Sequence, residues 1–452
     1  MLLGIFLLSI LCWGYIFYSK RVEKNFGVNK YNPIKNKGEN IPYIQYRWLQ
    51  IAQFGLISSI ECLFGAVIGI THGIVTMIWC VLGSIFIGGC LNYYCGMYSL
   101  THRGKNINNY SEKIFGKTTY YITSILIMLF LVIGIGTICV YLMNINFYTF
   151  SIPKIGYIYF MGIVFIAILP LKYFTYCCIG NALIFIVSSL IFALLSINNI
   201  INSSIFTNTD FNNLKYVYPS LFFIVNAGVL SGIQGLQSGL ISGYVKNEKM
   251  GREIFYGATI IQAGFVILWS ILLISWEPSY KAILSLIQKS HSPYLVVESL
   301  IMLKYGIVGE LLLYLTAISL CILSASSLFR ILLQMAKDIK LIKSQNNIGA
   351  ILTIIILSFL SFEYYFGMKY YAFFNQIISA YLFLLISIFL KKKHKKYSLE
   401  LYFSISLIFM CIAYALVVFA NQPHLNAIII GIVSTILFIL IHYIYFSHKK
   451  LR

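Results

Sequence analysis

Charged residues are scarce in this chain of 452 residues. Asp, Glu, Lys and Arg together make up 10%, whereas 60% of the residues are hydrophobic and the mean hydropathy is +0.85. A water-soluble protein of this length carries far more charge on its surface, so the composition excludes that class. Long polar stretches are missing as well, so no separate soluble domain is predicted. Apolar runs of roughly 20 residues recur instead, and a helix of that length crosses the hydrocarbon of a bilayer.

These runs predict an all-α polytopic membrane protein that forms a single transmembrane domain over residues 1–452. About thirteen transmembrane helices are expected from the number of runs. The expected spans lie near residues 2–18, 49–70, 74–99, 119–143, 155–171, 174–198, 218–243, 254–275, 306–329, 348–366, 371–390, 401–420 and 426–446. The first span has no basic residue before it and no small-residue cleavage site, so we expect a retained helix rather than a signal peptide.

Acidic residues are especially few, with 13 against 33 basic residues and a net charge of +20. Such an excess is also found in nucleic-acid-binding proteins, but its distribution indicates a membrane topology. With the N-terminus outside, all but six of the basic residues fall on the inner side of the predicted spans, as the positive-inside bias requires. We therefore expect a multi-pass protein of the inner (cytoplasmic) membrane, N-terminus out and C-terminus in, with no nucleic-acid partner. The run KKKHKK at 391–396 is interpreted as a topology anchor, with contact to anionic lipid as the alternative.

Patterns typical of cofactor, metal and catalytic sites are also missing. All ten cysteines fall within predicted spans and no CxxC pair occurs, so neither a disulfide framework nor a zinc site is predicted. No loop combines carboxylates, histidines and a nucleophile in a way that predicts catalysis. We therefore expect no enzyme activity, no cofactor and no metal. A membrane-embedded enzyme and a passive channel remain the less favoured alternatives.

Polar residues do occur inside the apolar runs, above all in NAGVLSGIQGLQSG at 226–239. Hydrocarbon cannot solvate polar groups, so they must be paired within the protein or line a cavity. One explanation is close helix packing, because this stretch contains two small-xxx-small spacings. The other is a discontinuous helix that presents freed backbone groups to a substrate. Packing accounts for the glycines but not for three amides near mid-membrane: Asn226, Gln234 and Gln237.

Other spans contain isolated polar residues too. Glu61 lies well inside a span, where an ionised carboxylate is costly unless it is paired, hydrated or protonated. Asn92 lies in a glycine-rich span, the segment SASSLFR at 324–330 ends another, and the pair Asn375–Gln376 begins a third. Polar residues concentrated in a few spans predict a polar path or site between helices.

Several of these stretches resemble motifs of the carbon starvation (CstA) family of membrane transporters. The segment NAGVLSGIQGLQSG, followed by KNEKMGREIFYGAT, resembles the family's ACGAISGFH stretch, its Asn-Glu and Gly-Arg turn, and its FYGAM motif. Four further blocks, at 52–66, 89–107, 321–338 and 369–376, resemble family blocks in the same order. The resemblance covers residues 19–420.

The chain departs from the family at its ionisable positions. The family's motif histidine falls on Gln234, its helix glutamate on Gln262 and one aspartate on Ser326. The paired histidines and the His-Asp pair fall on Ala52, Gln53, Leu91 and Asn92. Glu61 is an addition, which makes it the candidate for proton coupling. Its structural alternative is a protonated or amide-paired acid that holds two helices together.

The resemblance implies a broken-helix, inverted-repeat transporter fold of the APC/LeuT type. It also implies a secondary transporter for uptake of small organic nutrients, either peptides or pyruvate-like carboxylates, with a coupling proton or cation. We hypothesise that the spans 49–70 and 218–243 are each interrupted near mid-membrane. The expected substrate site combines amide and hydroxyl side chains: Asn92, Asn226, Ser231, Gln234, Gln237, Ser324, Ser326, Asn375 and Gln376. Because the family's ionisable residues are lost, a non-transporting relative that acts as a sensor or assembly partner is the alternative.

Overall fold

The computed structural model describes most of the chain as helix. The described residues are 2–28, 44–70, 75–144, 155–202, 231–277, 282–283, 285–286, 293–342, 367–418, 420, 429, 433 and 436. No strand forms within them, as the apolar runs predict. The predicted span 348–366, most of the span 426–446 and the first half of the span 218–243 lie outside the described residues.

The helices are numbered in chain order. They are α1 (Leu2–Trp13), α2 (Ser19–Phe26), α3 (Tyr46–Ile57), α4 (Glu61–Ile70), α5 (Val75–Leu82), α6 (Gly89–Thr101), α7 (Tyr110–Phe115), α8 (Lys117–Asn144), α9 (Ile155–Ile168), α10 (Leu171–Leu195), α11 (Ile197–Asn202), α12 (Gly232–Gln237), α13 (Gly257–Trp276), α14 (Pro293–Asp338), α15 (Gly367–Lys392) and α16 (Ser398–Val418). Within the described ranges, eight segments are long and apolar enough to cross a membrane. The polytopic helical class is therefore confirmed, and the total of thirteen spans stays a prediction.

The outer faces of these helices carry large apolar side chains. Met161 on α9 is 69% exposed, Leu194 on α10 is 69% exposed and Val308 on α14 is 80% exposed. Side chains of this kind on a helix surface are expected where lipid rather than water surrounds the protein. The polar residues lie on the opposite faces, in the interior of the bundle.

Among the described residues, three spans contain a π-helical turn, and the one at Arg252–Tyr256 leads directly into α13. α1 continues through Gly14–Tyr18 into α2, and α5 continues through Gly83–Gly88 into α6. A π-helical turn leaves a backbone carbonyl without its usual donor. The carbonyl of Ile85, inside the turn at Gly83–Gly88, accepts a hydrogen bond from the hydroxyl of Tyr256 at 2.7 Å.

The border between the fifth and sixth predicted spans differs from the expected one. We expected KYFTY at 172–176 to form the link, but α9 ends at Ile168 and α10 already begins at Leu171. Pro170 is the reason, because a proline disfavours a helical residue before it and suits the start of the next helix. It precedes α10 with φ −51° and ψ 144°.

A long helix with one break replaces the predicted loop and span at 276–329. α14 runs from Pro293 to Asp338, but Gly306 has φ 62° and ψ −155°, which is not helical. This backbone conformation favours glycine, since a side chain would be strained there. The arm before the break is packed in the core, with Val297 and Ile301 fully buried. The expectation of a packing helix in this stretch is therefore confirmed.

Candidate functional site

The predicted span 49–70 is interrupted, as expected. α3 ends at Ile57, Ser58 is extended with φ −73° and ψ 117°, and α4 begins three residues later. The carbonyl of Ile57 therefore has no donor within its own helix. It accepts two hydrogen bonds, from Nε2 of Gln234 at 3.3 Å and from Nε2 of Gln262 at 3.1 Å. Two amides from two other elements thus satisfy one freed carbonyl.

The last turn of α3 is also bound to its neighbours. Nδ2 of Asn181, on α10, donates to the carbonyl of Gly55 at 2.9 Å. A Cβ atom on Gly55 would lie 2.0 Å from the carbonyl oxygen of Cys178, so glycine is required for this close approach. Nε2 of Gln53 donates to Oγ of Ser238 at 3.0 Å, which connects α3 to the segment after α12.

The described part of the glycine-rich stretch begins with a capped helix. Ser231 is extended, with φ −136° and ψ 130°, and its Oγ accepts from the backbone N–H of Gln234 at 3.4 Å. The same Oγ donates to Oδ1 of Asn375 on α15 at 2.9 Å. A Cβ atom on Gly232 would lie 2.4 Å from the backbone nitrogen of Ser379. The glycine thus permits close packing, as the first explanation requires, and the polar side chain of Ser231 caps the helix and bridges it to α15. The second explanation, freed backbone groups that bind a substrate, stays a prediction.

Gln237 connects α12 to α14. Its Nε2 donates to Oγ of Ser327 at 2.6 Å, and that hydroxyl donates to the carbonyl of Ser324 at 2.7 Å. The hydroxyl of Ser326 lies on another face and donates to the carbonyl of Ile163 on α9 at 3.0 Å. The predicted pair Ser324 and Ser326 is thus divided, and Ser324 joins the network of Gln237 only through its backbone carbonyl.

Other predicted site residues lie apart from this network or outside the description. Asn92 donates from Nδ2 to Oγ1 of Thr259 at 2.7 Å, which places it between α6 and α13. Gln376 is fully buried on α15. Asn226 lies outside the described residues. Glu61 begins α4, and its side chain lies outside the described part of the chain.

The site is enclosed, and several of its polar atoms are unpartnered. Each predicted substrate-binding residue whose side chain is described is at most 3% exposed. Five buried atoms have no hydrogen-bond partner among the described residues: Oε1 of Gln53, Oγ of Ser58, Oγ of Ser59, Oδ1 of Asn181 and Nδ2 of Asn375. Such an atom costs roughly 1–3 kcal/mol when nothing pairs with it. A ligand that reached these groups would therefore gain hydrogen bonds that the protein alone does not make.

Sequence reasoning missed seven residues of the site: Gln53, Ser58, Ser59, Asn181, Ser238, Gln262 and Ser327. Gln53 and Gln262 carried a signal, because each falls on an ionisable position of the CstA family. Asn181 also carried one, since an amide in a predicted apolar span needs an internal partner. Ser327 carried none, because three serines occur within four positions and their spacing does not show which one faces α12.

A second buried polar group lies on the first arm of α14. Glu298 is fully buried, and neither of its carboxylate oxygens has a hydrogen-bond partner among the described residues. The hydroxyl of Tyr294, one turn earlier, is also buried and has no hydrogen-bond partner among the described residues. Sequence reasoning placed both residues in a loop and assigned them no role. The packing of the arm against the core explains their burial.

Comparison with solved structures defines the class of protein. The chain resembles a Na⁺-coupled sialic acid symporter in a substrate-bound, outward-open state, with a TM-score of 0.59, 13% identity, and coverage of 95% of this chain and 96% of that one. It also resembles MhsT in complex with L-phenylalanine, with a TM-score of 0.56, 13% identity, and coverage of 88% of this chain and 100% of that one. At such identities the likeness concerns the fold alone. That fold is the LeuT-type transporter fold, which confirms the fold class expected from the sequence.

Comparison of sequences adds the family. Residues 1–207 match the family model described as carbon starvation protein CstA. An "uncharacterized membrane protein" of Haemophilus influenzae is 24% identical over 345 residues, which cover 63% of this chain and 93% of that protein. Together these matches support a similarity to the CstA family over residues 1–207, a range that contains two of the motif blocks, at 52–66 and 89–107. With the fold, they also support a membrane transporter.

Proposed function

We propose that this chain is a secondary transporter that takes up small organic nutrients, either peptides or pyruvate-like carboxylates, across the cytoplasmic membrane. The observation that carries the proposal is the interrupted span, in which the carbonyl of Ile57 is bound by Gln234 and Gln262. Irregular backbone at membrane depth occurs where protein encloses it or a cavity adjoins it. Transporters with interrupted helices bind their substrates at such points.

The proposed substrate site lies between the interruption and α12. Hydroxyl groups of Ser58 and Ser59 are buried and unpartnered there, and the N-terminus of α4 carries partial positive charge. Both features suit a carboxylate, which peptides and pyruvate share. The amide oxygens of Gln53 and Asn181 suit a peptide amine instead. The further members of the proposed site are Asn92, Asn226, Ser231, Gln234, Gln237, Ser324, Asn375 and Gln376, whereas the hydroxyl of Ser326 donates toward α9 and is left out of the proposed site.

Substrate access requires movement of the helices. Ser231 and Gln237 are 2% and 3% exposed, so a substrate does not reach these two side chains in the described arrangement. Transporters of this fold open to each side in turn around a fixed central site. Opening at the contact between α12 and α15 would break the bond from Ser231 to Asn375. These two side chains then become available to substrate.

Coupling is proposed to use a proton carried by Glu61 or a cation. Glu61 is the first residue of α4, directly after the interruption. Its backbone therefore directly follows the residues that the proposal assigns to substrate binding. A cation is the alternative, because amide and hydroxyl oxygens are suitable ligands for a hard cation and several lie at the interruption.

One observation favours a second candidate function, a non-transporting relative that senses or assembles. Gln234 and Gln262 stand where the family has ionisable residues, and both bind the carbonyl of Ile57. Amides that serve as fixed structural donors do not change charge. A protein built in this way keeps the scaffold of the fold while losing proton carriers, which is the arrangement expected after loss of transport.

Uptake into proteoliposomes separates the two functions. Purified full-length protein is reconstituted and supplied with labelled dipeptides or pyruvate under a pH gradient, a Na⁺ gradient or no gradient. A transporter gives gradient-driven accumulation above protein-free liposomes, and Ser231→Ala reduces it. Ser326→Ala, whose hydroxyl donates toward α9, serves as the matched control and retains more uptake. Absence of both accumulation and exchange for every probe, in protein that remains folded, contradicts transport of these substrates.

A further inference from the structure

A cavity of about 450 Å³ lies at one end of the bundle, away from the interrupted helix. It is bordered by α2, by the turn between α15 and α16, and by α6. Four positively charged side chains of the described residues line it: Arg21, Lys24, Lys395 and Lys396. The arrangement joins basic residues from two parts of the sequence that are more than 300 positions apart. Neither the interrupted span nor the proposed substrate site includes any of them.

The basic run at 391–396 is divided by the fold into two groups. Lys391, Lys392 and Lys393 each lie over an aromatic ring, at 5.5 Å, 5.6 Å and 4.4 Å from its centroid. No aromatic ring of the described residues lies beneath Lys395 or Lys396, and both line the cavity. If the run had only to supply positive charge that fixes the membrane topology, its lysines would not need to lie in two different environments. The second group is therefore available to a ligand, while the first is held by cation–π contacts.

The turn after α15 directs the second group toward the cavity. His394 has φ 55°, in the left-handed region, and the backbone N–H of Lys395 donates to the carbonyl of Leu390 at 2.9 Å. This bond closes the end of the helix in the manner of a left-handed C-terminal cap. A Cβ atom on Gly27 would lie 2.9 Å from Nζ of Lys395, so that ammonium reaches the end of α2. The backbone conformation of this turn thus determines the position of the Lys395 ammonium.

Among the described residues that line the cavity, one carboxylate occurs, and it is already engaged by donors. Glu400 is 4% exposed, and its Oε1 accepts from the hydroxyl of Tyr94 at 2.8 Å and from Nδ2 of Asn25 at 3.4 Å. Among the described residues, the one salt bridge joins Arg252 and Glu23 at 3.3 Å, so none of the four lining cations is paired in this way. Four cations face one bonded carboxylate, and the cavity is left with an excess of positive charge.

The cavity lies at the level where membrane spans end. The candidate spans Gly4–Phe26 and Tyr370–Lys392 end there, and the span Ser398–Leu416 begins there. Ends of spans coincide with the headgroup region of a bilayer. Juxtamembrane Lys and Arg residues attract anionic lipid headgroups, and an Arg guanidinium can bind a phosphate group through two parallel hydrogen bonds.

We propose that this cavity is a binding site for a phosphate-bearing anion, held by Arg21, Lys24, Lys395 and Lys396. The ligand is either the headgroup of an anionic phospholipid or a free phosphorylated small molecule, since both present the same chemistry to the four cations. The site is separate from the interrupted helix and does not depend on the proposed transport function. It binds its ligand whether or not the chain transports anything.

The test uses delipidated, detergent-solubilised full-length protein and two probes. Phosphatidylglycerol is titrated against phosphatidylcholine, and inorganic phosphate against chloride at equal ionic strength, with native mass spectrometry and thermal unfolding as readouts. The test variant is Lys395→Gln with Lys396→Gln. The matched control is Lys391→Gln with Lys392→Gln, which removes the same charge from the same run. Arg21→Gln provides a second test on another helix.

The wild type and the control variant are expected to bind one of the two probes. The test variant is expected to bind it about thirtyfold more weakly, because each cation near an anionic surface is worth roughly a fivefold change. Selective loss of phosphatidylglycerol binding identifies a lipid headgroup, and selective loss of phosphate protection identifies a free anion. Equal weakening in the test and control variants overturns the proposal, as does the absence of binding of either probe to the wild type.

Discussion

Gln234 and Gln262 donate to the same acceptor, the carbonyl oxygen of Ile57, from two separate elements at 3.3 Å and 3.1 Å. Each donor alone leaves the carbonyl paired, so the single substitutions Gln234→Leu and Gln262→Leu should be tolerated better than the double substitution. The double variant removes both side-chain donors and should cost about 1–3 kcal/mol beyond the sum of the singles. The midpoint of unfolding in detergent measures this. If the stability loss of the double variant equals the sum of the two single losses, the two hydrogen bonds do not substitute for each other.

A second prediction concerns the close approach of α3 and α10. Gly55→Ala places a Cβ atom 2.0 Å from the carbonyl oxygen of Cys178, so the helices must separate. The expected cost is about 1–3 kcal/mol of stability, with reduced expression as a second sign. Gly180→Ala on α10 is the matched control, because no atom lies within 4 Å of its added Cβ. That change should be neutral or stabilise by about 1 kcal/mol through helix propensity. Equal effects of the two variants would contradict the packing argument.

Chemical accessibility tests the enclosed site. In a background without native cysteines, single cysteines at Gln234 and Gln237 should react with a hydrophilic thiol reagent only when the protein opens during turnover. A cysteine at Ser326, whose hydroxyl faces α9, should remain protected throughout and serves as the control. Reaction is followed by mass spectrometry with and without substrate. Protection of all three positions under every condition would favour a purely structural role for α12.

Proton coupling through Glu61 predicts a specific pH response. Glu61→Gln keeps the size and hydrogen-bonding capacity of the side chain but cannot carry a proton. The variant should fold normally, retain exchange of substrate and lose uptake driven by a pH jump. Glu61→Ala distinguishes the structural alternative, in which Ala destabilises the protein and Gln preserves activity. Unchanged pH-driven uptake in the Gln variant would rule out Glu61 as the proton carrier.

Two buried carboxyl groups should respond oppositely to the same substitution. Glu298 is fully buried, and its oxygens have no partner among the described residues, so Glu298→Met should raise stability by about 1–3 kcal/mol. Glu400 accepts hydrogen bonds from Tyr94 and Asn25, so Glu400→Met should lower stability by a similar amount. Thermal unfolding of the purified variants measures both. A loss of stability in Glu298→Met would show that this carboxyl group has an essential partner in the folded protein.

The parts of this structure that follow from local chemistry were predictable from the sequence. The apolar runs predicted the helices, and the resemblance to the CstA family led to the prediction that the span 49–70 is interrupted, which the structure shows at 58–60. Gln234 was singled out because an amide inside hydrocarbon needs a partner. Its actual partner, the carbonyl of Ile57, lies 177 positions away and depends on how the helices pack. Periodicity within one span cannot supply that information.

The errors have equally local causes. The link expected at KYFTY was displaced because one proline, Pro170, decides where α10 begins. The first arm of α14 was expected to be a packing helix within an outer loop, separate from the span 306–329, because Gly306 divides the apolar stretch; the structure joins both into one broken helix. Ser326 was placed in the site because three neighbouring serines look alike in sequence. Only the rotation of α14 against α9 shows that its hydroxyl faces Ile163.

The double contact on the Ile57 carbonyl also determines how the interruption responds to acid. Glutamine side chains do not titrate, so a change of pH within the physiological range neither strengthens nor weakens these two hydrogen bonds. In the CstA family motif the corresponding positions hold a histidine and a glutamate, whose charge follows the pH. Hydrogen bonds made by a histidine and a glutamate would weaken or strengthen as the cell acidifies. In this chain the hydrogen bonds from Gln234 and Gln262 keep the same strength as the pH changes. Any response to acid must therefore arise elsewhere in the molecule.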